Sequence, residues 1–298
     1  MGKKFTVVGL GEILWDLLPG GKQLGGAPAN FAYISTLLGN RGIVASRVGR
    51  DDLGSEATER LKILGMEVSY LQRDASHPTG TVRVRVDRLG QPSFTIHENV
   101  AWDFLSWDSK WKRLAREADA VCFGTLAQRS QRSRRTITEF LQKTRGMRVF
   151  DVNLRQRFYS AEILRESICM ATIVKMNHDE RPIILKLLGL EPGDDKPAAK
   201  QLLQFGPKLV CVTRGKRGSL LVSKRGAVEH RGFSVRVVDT VGSGDAFTAA
   251  LVHEYLRGAS LEKTSDAANR MGSWAATQAG GTPVVAKEEL RRRLAELR

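Results

Sequence analysis

The sequence predicts an α/β fold with a mainly parallel central sheet and helices on both faces. Two patterns carry that expectation. From residue 119 onward, short apolar runs alternate with segments of helical period, and strands that alternate with helices pair in parallel through crossovers. The runs are mainly apolar, as suits a sheet covered on both faces. A third pattern, strict alternation over residues 82–86 and weaker alternation over 93–97, marks a small β elaboration with one wet face. There is no low-complexity linker and no internal repeat, so the 298 residues read as one domain carrying that elaboration.

Each element has its own signal. Residues 5–10 are a β-branched apolar run, the first strand. Residues 24–39 change to helical period after a glycine pair, with Ala, Phe, Tyr, Ile and Leu on one stripe and Gly39 as the stop. Residues 43–48 form a second strand, and 53–64 a second helix ending at Gly65. Residues 82–86 and 93–97 pair as a hairpin around Leu89 and Gly90. Residues 120–123, 148–152, 173–176 and 209–212 are strands, with helices near 133–144, 162–170 and 180–188 between them. Residues 220–222 and 227–230 form a further hairpin. A strand ending at Val238 then leads into a Gly-rich turn at 242–245, and the last apolar helices cover 246–256 and 265–279.

Composition bounds the function classes. The chain has 47 Lys and Arg against 32 Asp and Glu, a formal charge of +15, which raises nucleic acid or an anionic membrane surface as a partner. With 42% hydrophobic and 27% charged residues it is not a disordered basic tail. Cys122, Cys169 and Cys211 lie in apolar runs without metal or redox spacing, which excludes a disulfide scaffold and suits a reducing cytoplasm. The N-terminal apolar run is too short and too soon charged for a signal peptide, and no stretch approaches a membrane span. Gly9-Leu10-Gly11 lacks the third glycine of a dinucleotide fingerprint, no P-loop is present, and His97-Glu98 and His253-Glu254 lack the second histidine of a zincin.

The sharpest motif is the run from Asp239 through Thr240, Val241, Gly242, Ser243, Gly244 and Asp245 to Phe247. Small residues entering an apolar helix let backbone N–H groups converge, and with the helix dipole they stabilise an anion such as a transferring phosphoryl group. Asp245, in the first turn beside that cradle, can accept the proton of an attacking hydroxyl. A bare Gly-x-Gly-Asp would be only a tight turn with a helix-end charge; the full run favours chemistry.

This run resembles the C-terminal signature of the PfkB/ribokinase family of ATP-dependent sugar kinases, and further motifs follow in that family's order across essentially the whole chain. Residues 25–30 (GGAPAN) resemble its N-terminal sugar-binding motif and 11–16 (GEILWD) the segment whose Asp binds sugar hydroxyls. Residues 48–54 (VGRDDLG) and 151–155 (DVNLR) are similar to further family motifs, the second to its fructokinase-like branch. Residues 177–180 (NHDE) resemble the element near metal and phosphates, and 213–218 (TRGKRG) the nucleotide loop. The resemblance implies a ribokinase-like three-layer α/β/α sandwich over 1–298, with a β lid contributed by about 12–22 and 68–104.

It also implies roles, beside which stands what the residues say themselves. Asp245 is the base, and Gly242, Ser243 and Gly244 supply the amides. Asp16, Gly25, Gly26, Asn30, Asn153 and Arg155 bind the sugar. The Asp16 carboxylate suits two hydroxyls, the glycine pair permits close approach, Asn30 both donates and accepts, and Arg155 after a buried strand can clamp oxygens. Asp16 reads equally as a surface turn residue, and Arg155 as half of a surface ion pair. Asn177, Thr213, Gly215, Gly218 and Asn269 take the nucleotide. Glu180 orients water on Mg²⁺, although Asn177 and Glu180 also satisfy a helix capping arrangement. Asp239 and Thr240 are implied for a monovalent cation, K⁺. Lid contacts at Thr79-Gly80-Thr81 and Glu98-Asn99, and a homodimer through the lid, complete the expectation: a fructokinase-like enzyme using ATP and Mg²⁺. Kinases of ribose, 2-keto-3-deoxygluconate or a nucleoside remain open. So does, from another class, nucleic-acid binding on a kinase scaffold through Arg129, Arg132, Arg134 and Arg135 and through Arg291, Arg292 and Arg293.

Overall fold

The computed structural model describes residues 3–18, 20–86 and 92–297, and only the backbone of 84–86, 92 and 93. The chain begins with β1 (Thr6–Leu10), β2 (Leu14–Leu18), β3 (Gly21–Gly25), α1 (Ala27–Leu37), β4 (Arg41–Gly49), α2 (Asp52–Ile63), β5 (Leu71–Asp74), β6 (Gly80–Val86) and β7 (Pro92–Ile96). It continues with α3 (Ser109–Glu117), β8 (Ala120–Phe123), α4 (Gln131–Lys143), β9 (Met147–Asp151), α5 (Ala161–Met170), β10 (Ile173–Asn177), α6 (Glu180–Leu188) and α7 (Asp195–Leu203). β11 (Leu209–Thr213), β12 (Ser219–Ser223), β13 (Gly226–His230), α8 (Ser243–Leu256), α9 (Leu261–Ala276) and α10 (Lys287–Glu296) follow.

Nine strands form the main sheet in the order β13-β12-β11-β10-β9-β8-β1-β4-β5. The pairings from β11 to β5 are parallel, and β12 and β13 close one edge antiparallel. Side chains alternate faces along a strand, so each strand feeds two cores. Val7, Val149, Ile173, Leu209 and Cys211 pack with Phe31, Phe247, Met271 and Trp274 of α1, α8 and α9. Val8, Leu10, Phe150, Val174 and Val210 pack with Leu114, Phe140, Leu164, Ile184 and Leu202 of α3 to α7. These are the three layers of the expected sandwich.

The smaller sheet has the order β3-β2-β6-β7. Its β6–β7 hairpin is the expected one, while the Leu89-Gly90 turn lies outside the described residues. Asp16 lies inside β2, opposite Gln23 of β3 and Val82 of β6. Among the described residues, no helix is long and apolar enough to cross a membrane.

One expected element is absent: no strand ends at Val238. The Val238 and Asp239 amides donate instead to Ala276 O at 2.8 and 3.3 Å, capping the end of α9. Val237 and Val238 are consequently 56% and 63% exposed. α9 also begins a turn earlier than expected, because Ser260 caps it by accepting from Lys263 N.

Candidate active site

The site is assembled at the carboxyl ends of β1, β9, β10 and β11, where open α/β sheets bind ligands, and it is faced by the small sheet and by the first turn of α8. Gly242 caps α8 with φ 76°, a left-handed conformation that favours glycine, and a Cβ there would lie 2.5 Å from Gly281 Cα. Ser243 Oγ donates to Gly272 O at 2.9 Å, fixing this turn to α9. The Ser243 amide donates to Thr240 O at 3.2 Å, so it closes the turn. Among the described residues the amides of Gly242, Gly244 and Asp245 make no hydrogen bond, and these are the donors a phosphoryl group would meet.

Asp245 Oδ2 accepts from Asn30 Nδ2 at 2.8 Å, joining residues 215 apart in sequence. That contact brings the glycine-pair helix α1 against the Gly-rich helix α8. Burial, and then the charge of Asp151, push the Asp245 carboxyl up from 3.8 to about 6; the Asn30 bond, Lys175 and Arg155 pull against them. Asn30 is buried, and its Oδ1 has no partner. Asp16 lies close by. A Cβ on Gly25 would fall 2.6 Å from Asp16 Oδ2, so this glycine makes room for the carboxylate. Burial raises Asp16 to about 6, Arg155 opposes and Asp239 adds to the rise, which places all three charges in one field. Gly26 adopts φ 106° where a Cβ would strike Glu12 O at 2.6 Å. Asn153, at φ 45°, turns the chain out of β9 so that Arg155 is exposed at the mouth, without an ion pair among the described residues.

The nucleotide candidates divide. Asn177 and Thr213 are register partners at the ends of β10 and β11. Gly215 and Gly218 take φ 57° and 77°, and a Cβ on Gly218 would meet His230 O at 1.9 Å, so that loop requires its glycines. Asn269 lies on α9 and reaches Ser219, the residue that follows the loop. It is 6% exposed, and its Nδ2 donates to Ser219 Oγ at 2.8 Å and Ser265 O at 2.7 Å, locking α9 to β12.

The capping arrangement at Asn177 and Glu180 is present. Glu180 Oε2 accepts from Asn177 N and Asn177 Oδ1 from Glu180 N, both at 2.8 Å, and Glu180 Oε1 accepts from Leu154 N at 2.8 Å. Both oxygens of Glu180 are thus held by backbone amides. No group of three or more His, Cys, Asp or Glu among the described residues could hold a metal. Asp239 accepts from Val241 N and from Gly280 N, each at 3.0 Å, and so ties two loops together.

Three buried groups escaped the sequence reading: Glu12, Asp151 and Lys175. Glu12 is 3% exposed, its Oε2 has no partner, and burial raises it to about 7, with amide bonds and Arg155 opposing and Asp245 reinforcing. Asp151 was visible as a motif residue but not as a site residue. A lone lysine in the apolar run of β10 was the available signal for Lys175. Of the basic clusters, Arg132, Arg135 and Arg291 are exposed and make no ion pair among the described residues, while the other arginines are paired. Arg129 is buried, ion-paired to Asp103 at 2.8 Å and stacked 3.9 Å over Trp102; Arg134 pairs with Glu162 and Glu166, and Arg292 and Arg293 pair with Glu289.

Comparison with known proteins agrees with this geometry. The model of the pfkB family carbohydrate kinases matches residues 20–287. A fructokinase of Escherichia coli is 30% identical over 94% of this chain and 96% of its own. The crystal structure of an uncharacterized sugar kinase from Pyrococcus horikoshii in complex with ATP superposes with TM-score 0.80 at 27% identity, over 98% of this chain and 99% of that one. A fructokinase from Xylella fastidiosa with bound ATP shares the fold at TM-score 0.86 and 21% identity, over 99% of both chains. An amide cradle at a helix start, a carboxylate beside it and this family match together make the chain a member of the pfkB carbohydrate kinase family, an ATP-dependent sugar kinase.

Proposed function

We propose that the chain transfers the γ-phosphoryl group of ATP to a primary hydroxyl of fructose. The observation that carries this reading is the Asn30–Asp245 hydrogen bond of 2.8 Å, which sets the base, on α8, against α1, the helix that would hold the sugar. In the step, the sugar oxygen bonds to the γ-phosphorus while the bond from that phosphorus to the β,γ-bridging oxygen breaks. ADP leaves with the electron pair, and the hydroxyl proton passes to the Asp245 carboxylate. Asp16, Asn30 and Arg155 would orient the sugar. The free amides of Gly242, Gly244 and Asp245 would meet the equatorial oxygens of the transferring group. Mg²⁺ would neutralise phosphate charge, with Asn177 and Glu180 in its outer sphere, and the loops joined by Asp239 and Thr240 would hold K⁺. Asn177, Thr213, Gly215 and Gly218 would line the nucleotide, while Asn269 supports the wall behind it.

Fructose is favoured because fructokinases match over nearly the whole chain. One observation favours a second reading: Arg155, exposed and unpaired among the described residues, suits the carboxylate of an acidic sugar such as 2-keto-3-deoxygluconate. ATP consumption with fructose, ribose, 2-keto-3-deoxygluconate and a nucleoside decides between them. The highest kcat/KM is expected with fructose; a higher value with the acidic sugar reverses the order, and no turnover with any of them refutes the reading. The small sheet exposes Leu18 (36%) and Phe94 (56%), which suits a second copy docked lid to lid; a monomeric sedimentation coefficient at micromolar protein would refute that.

A further inference from the structure

Lys175 lies in the middle of β10, between Val174 and Met176, and is 7% exposed. Lysines are almost never buried this deeply unless paired. Strand alternation puts it with Ile173 on the face covered by α8. Strand register puts Asp151 beside it, with Nζ 3.0 Å from Oδ1 and 3.1 Å from Oδ2. The Thr248 hydroxyl, one turn into α8, lies 2.9 Å from both Asp151 Oδ2 and Gly244 O and shares its proton between them. The pair is thus built into the underside of the helix that carries the base.

Gly244 shows where the ammonium points. This glycine is not in a left-handed conformation, so backbone freedom does not explain it. Space does: a Cβ built there would lie 3.0 Å from Lys175 Nζ. Beyond the glycine's chain neighbours and the backbone of its own helix, the atoms of the described residues within 4 Å of that position are Nζ and Cε of Lys175, so the positive end of the ion pair faces the glycine and the negative end lies behind it. Burial pulls the ammonium toward its neutral form, but Asp151, Glu180 and Asp245 more than offset this and hold it above the ordinary lysine range. A cation therefore stands behind the amide cradle at neutral pH. For packing alone, two apolar side chains would serve as well as a buried ion pair, or better.

We infer that Lys175 is a positioning residue of phosphoryl transfer: its ammonium, held by Asp151 behind Gly244, sets the first turn of α8 and adds a fixed positive charge beneath the cradle. This rests on the reading of the cradle and Asp245 as the phosphoryl-transfer site. Charge spreads over the equatorial oxygens of the transferring group in the transition state, and a charge already in place stabilises it without reorganisation. Such a group acts on kcat more than on the KM of either substrate.

The test uses the full chain with Lys175→Met, Asp151→Asn, both together, and Asp245→Asn, reading Tm, kcat and both KM values. Lys175→Met leaves Asp151 buried and unpaired, so the double variant, whose pair is neutral, keeps the comparison sound if the single one fails to fold. The inference expects Asp151→Asn to keep kcat within about tenfold of the parent. It expects the double variant to fold with near-parental Tm and with KM values within about threefold, and its kcat to fall a further 100-fold or so. A double variant within about threefold of Asp151→Asn would overturn it, leaving Lys175 a mere counter-ion. So would an Asp151→Asn variant as impaired as the double, since the pair and not the cation would then be needed. Asp245→Asn separates the two readings: full activity there refutes the base, while the kcat ratio between the Asp151 variants still judges Lys175.

Discussion

Asp245→Asn should produce an enzyme that is nearly inactive and more stable than its parent. The carboxyl is raised from 3.8 to about 6, chiefly by burial and then by Asp151. The native state therefore holds this proton more tightly than the unfolded chain does. Where both states are ionised, above pH 6, the native state carries a cost of about 3 kcal/mol at 1.36 kcal/mol per unit. Asp245 keeps an edge open to solvent, so roughly 1–3 kcal/mol is the fair range. Asparagine removes the charge and can keep the acceptor for Asn30 Nδ2. For a chain of this size Tm should rise by roughly 2–6 °C at pH 8. The sign is checked by acid. The unfolded carboxyl is protonated below about 4, so the advantage of the variant should shrink as pH falls from 6 and vanish near 4. Loss of the base should cost about 10²–10⁴ in kcat in a coupled ATP-consumption assay with fructose. A variant that melts below the parent at pH 8, or that transfers phosphoryl groups within about tenfold of it, refutes the reasoning.

Three further outcomes follow from the same geometry. Asp16 and Asp245 are both raised to about 6 and Glu12 to about 7, so kcat/KM should climb between pH 5 and 7 while the contribution of these three groups to stability falls; parallel pH–rate and pH–Tm curves check the opposed signs. Gly25→Ala pushes a methyl group to 2.6 Å from Asp16 Oδ2 and should raise KM for the sugar at least tenfold with KM for ATP unchanged, read by initial rates. Asn269→Ala should cost about 1–3 kcal/mol, because Ser219 and Ser265 lose a buried partner, and should leave KM for ATP within about twofold; urea unfolding and ATP titration test it.

What the sequence revealed depended on how local each signal was. The parallel sheet was legible because the strands from β8 to β11 are short, mainly apolar runs, and the cradle because its glycines and Asp245 are contiguous. β2 and β3 were hidden: β2 carries Asp16 at its centre and pairs in parallel with β6, whose residues lie 66 positions further on, so no local period announces it. Val238 misled in the opposite sense, since its neighbours have strand propensity but its amide is taken by the end of α9. α3 was missed because Trp111, Leu114 and Ala115 are its only buried residues among charged ones. The motif order brought Asn30 and Asp245 together only through family resemblance. Lys175 and Glu12 depend on neighbours across the sheet, which no spacing rule supplies.

The same distinction disposes of the net charge of +15. As a sum, it pointed to nucleic acid. In place, Arg129 is buried against Asp103 and Trp102, Arg134 bridges to α5, and the arginines of α10 largely face their own glutamates. The site itself runs the other way. Glu12, Asp16, Asp151, Glu180 and Asp245 share one region, and Arg155 and Lys175 are the cations acting on them. A pocket with that surplus of carboxylates repels a nucleotide polyphosphate unless positive charge is placed where the phosphates go. The free amides of α8 supply part of it and a metal ion the larger part. That is why the surface excess of Lys and Arg is no substitute for one ammonium behind Gly244.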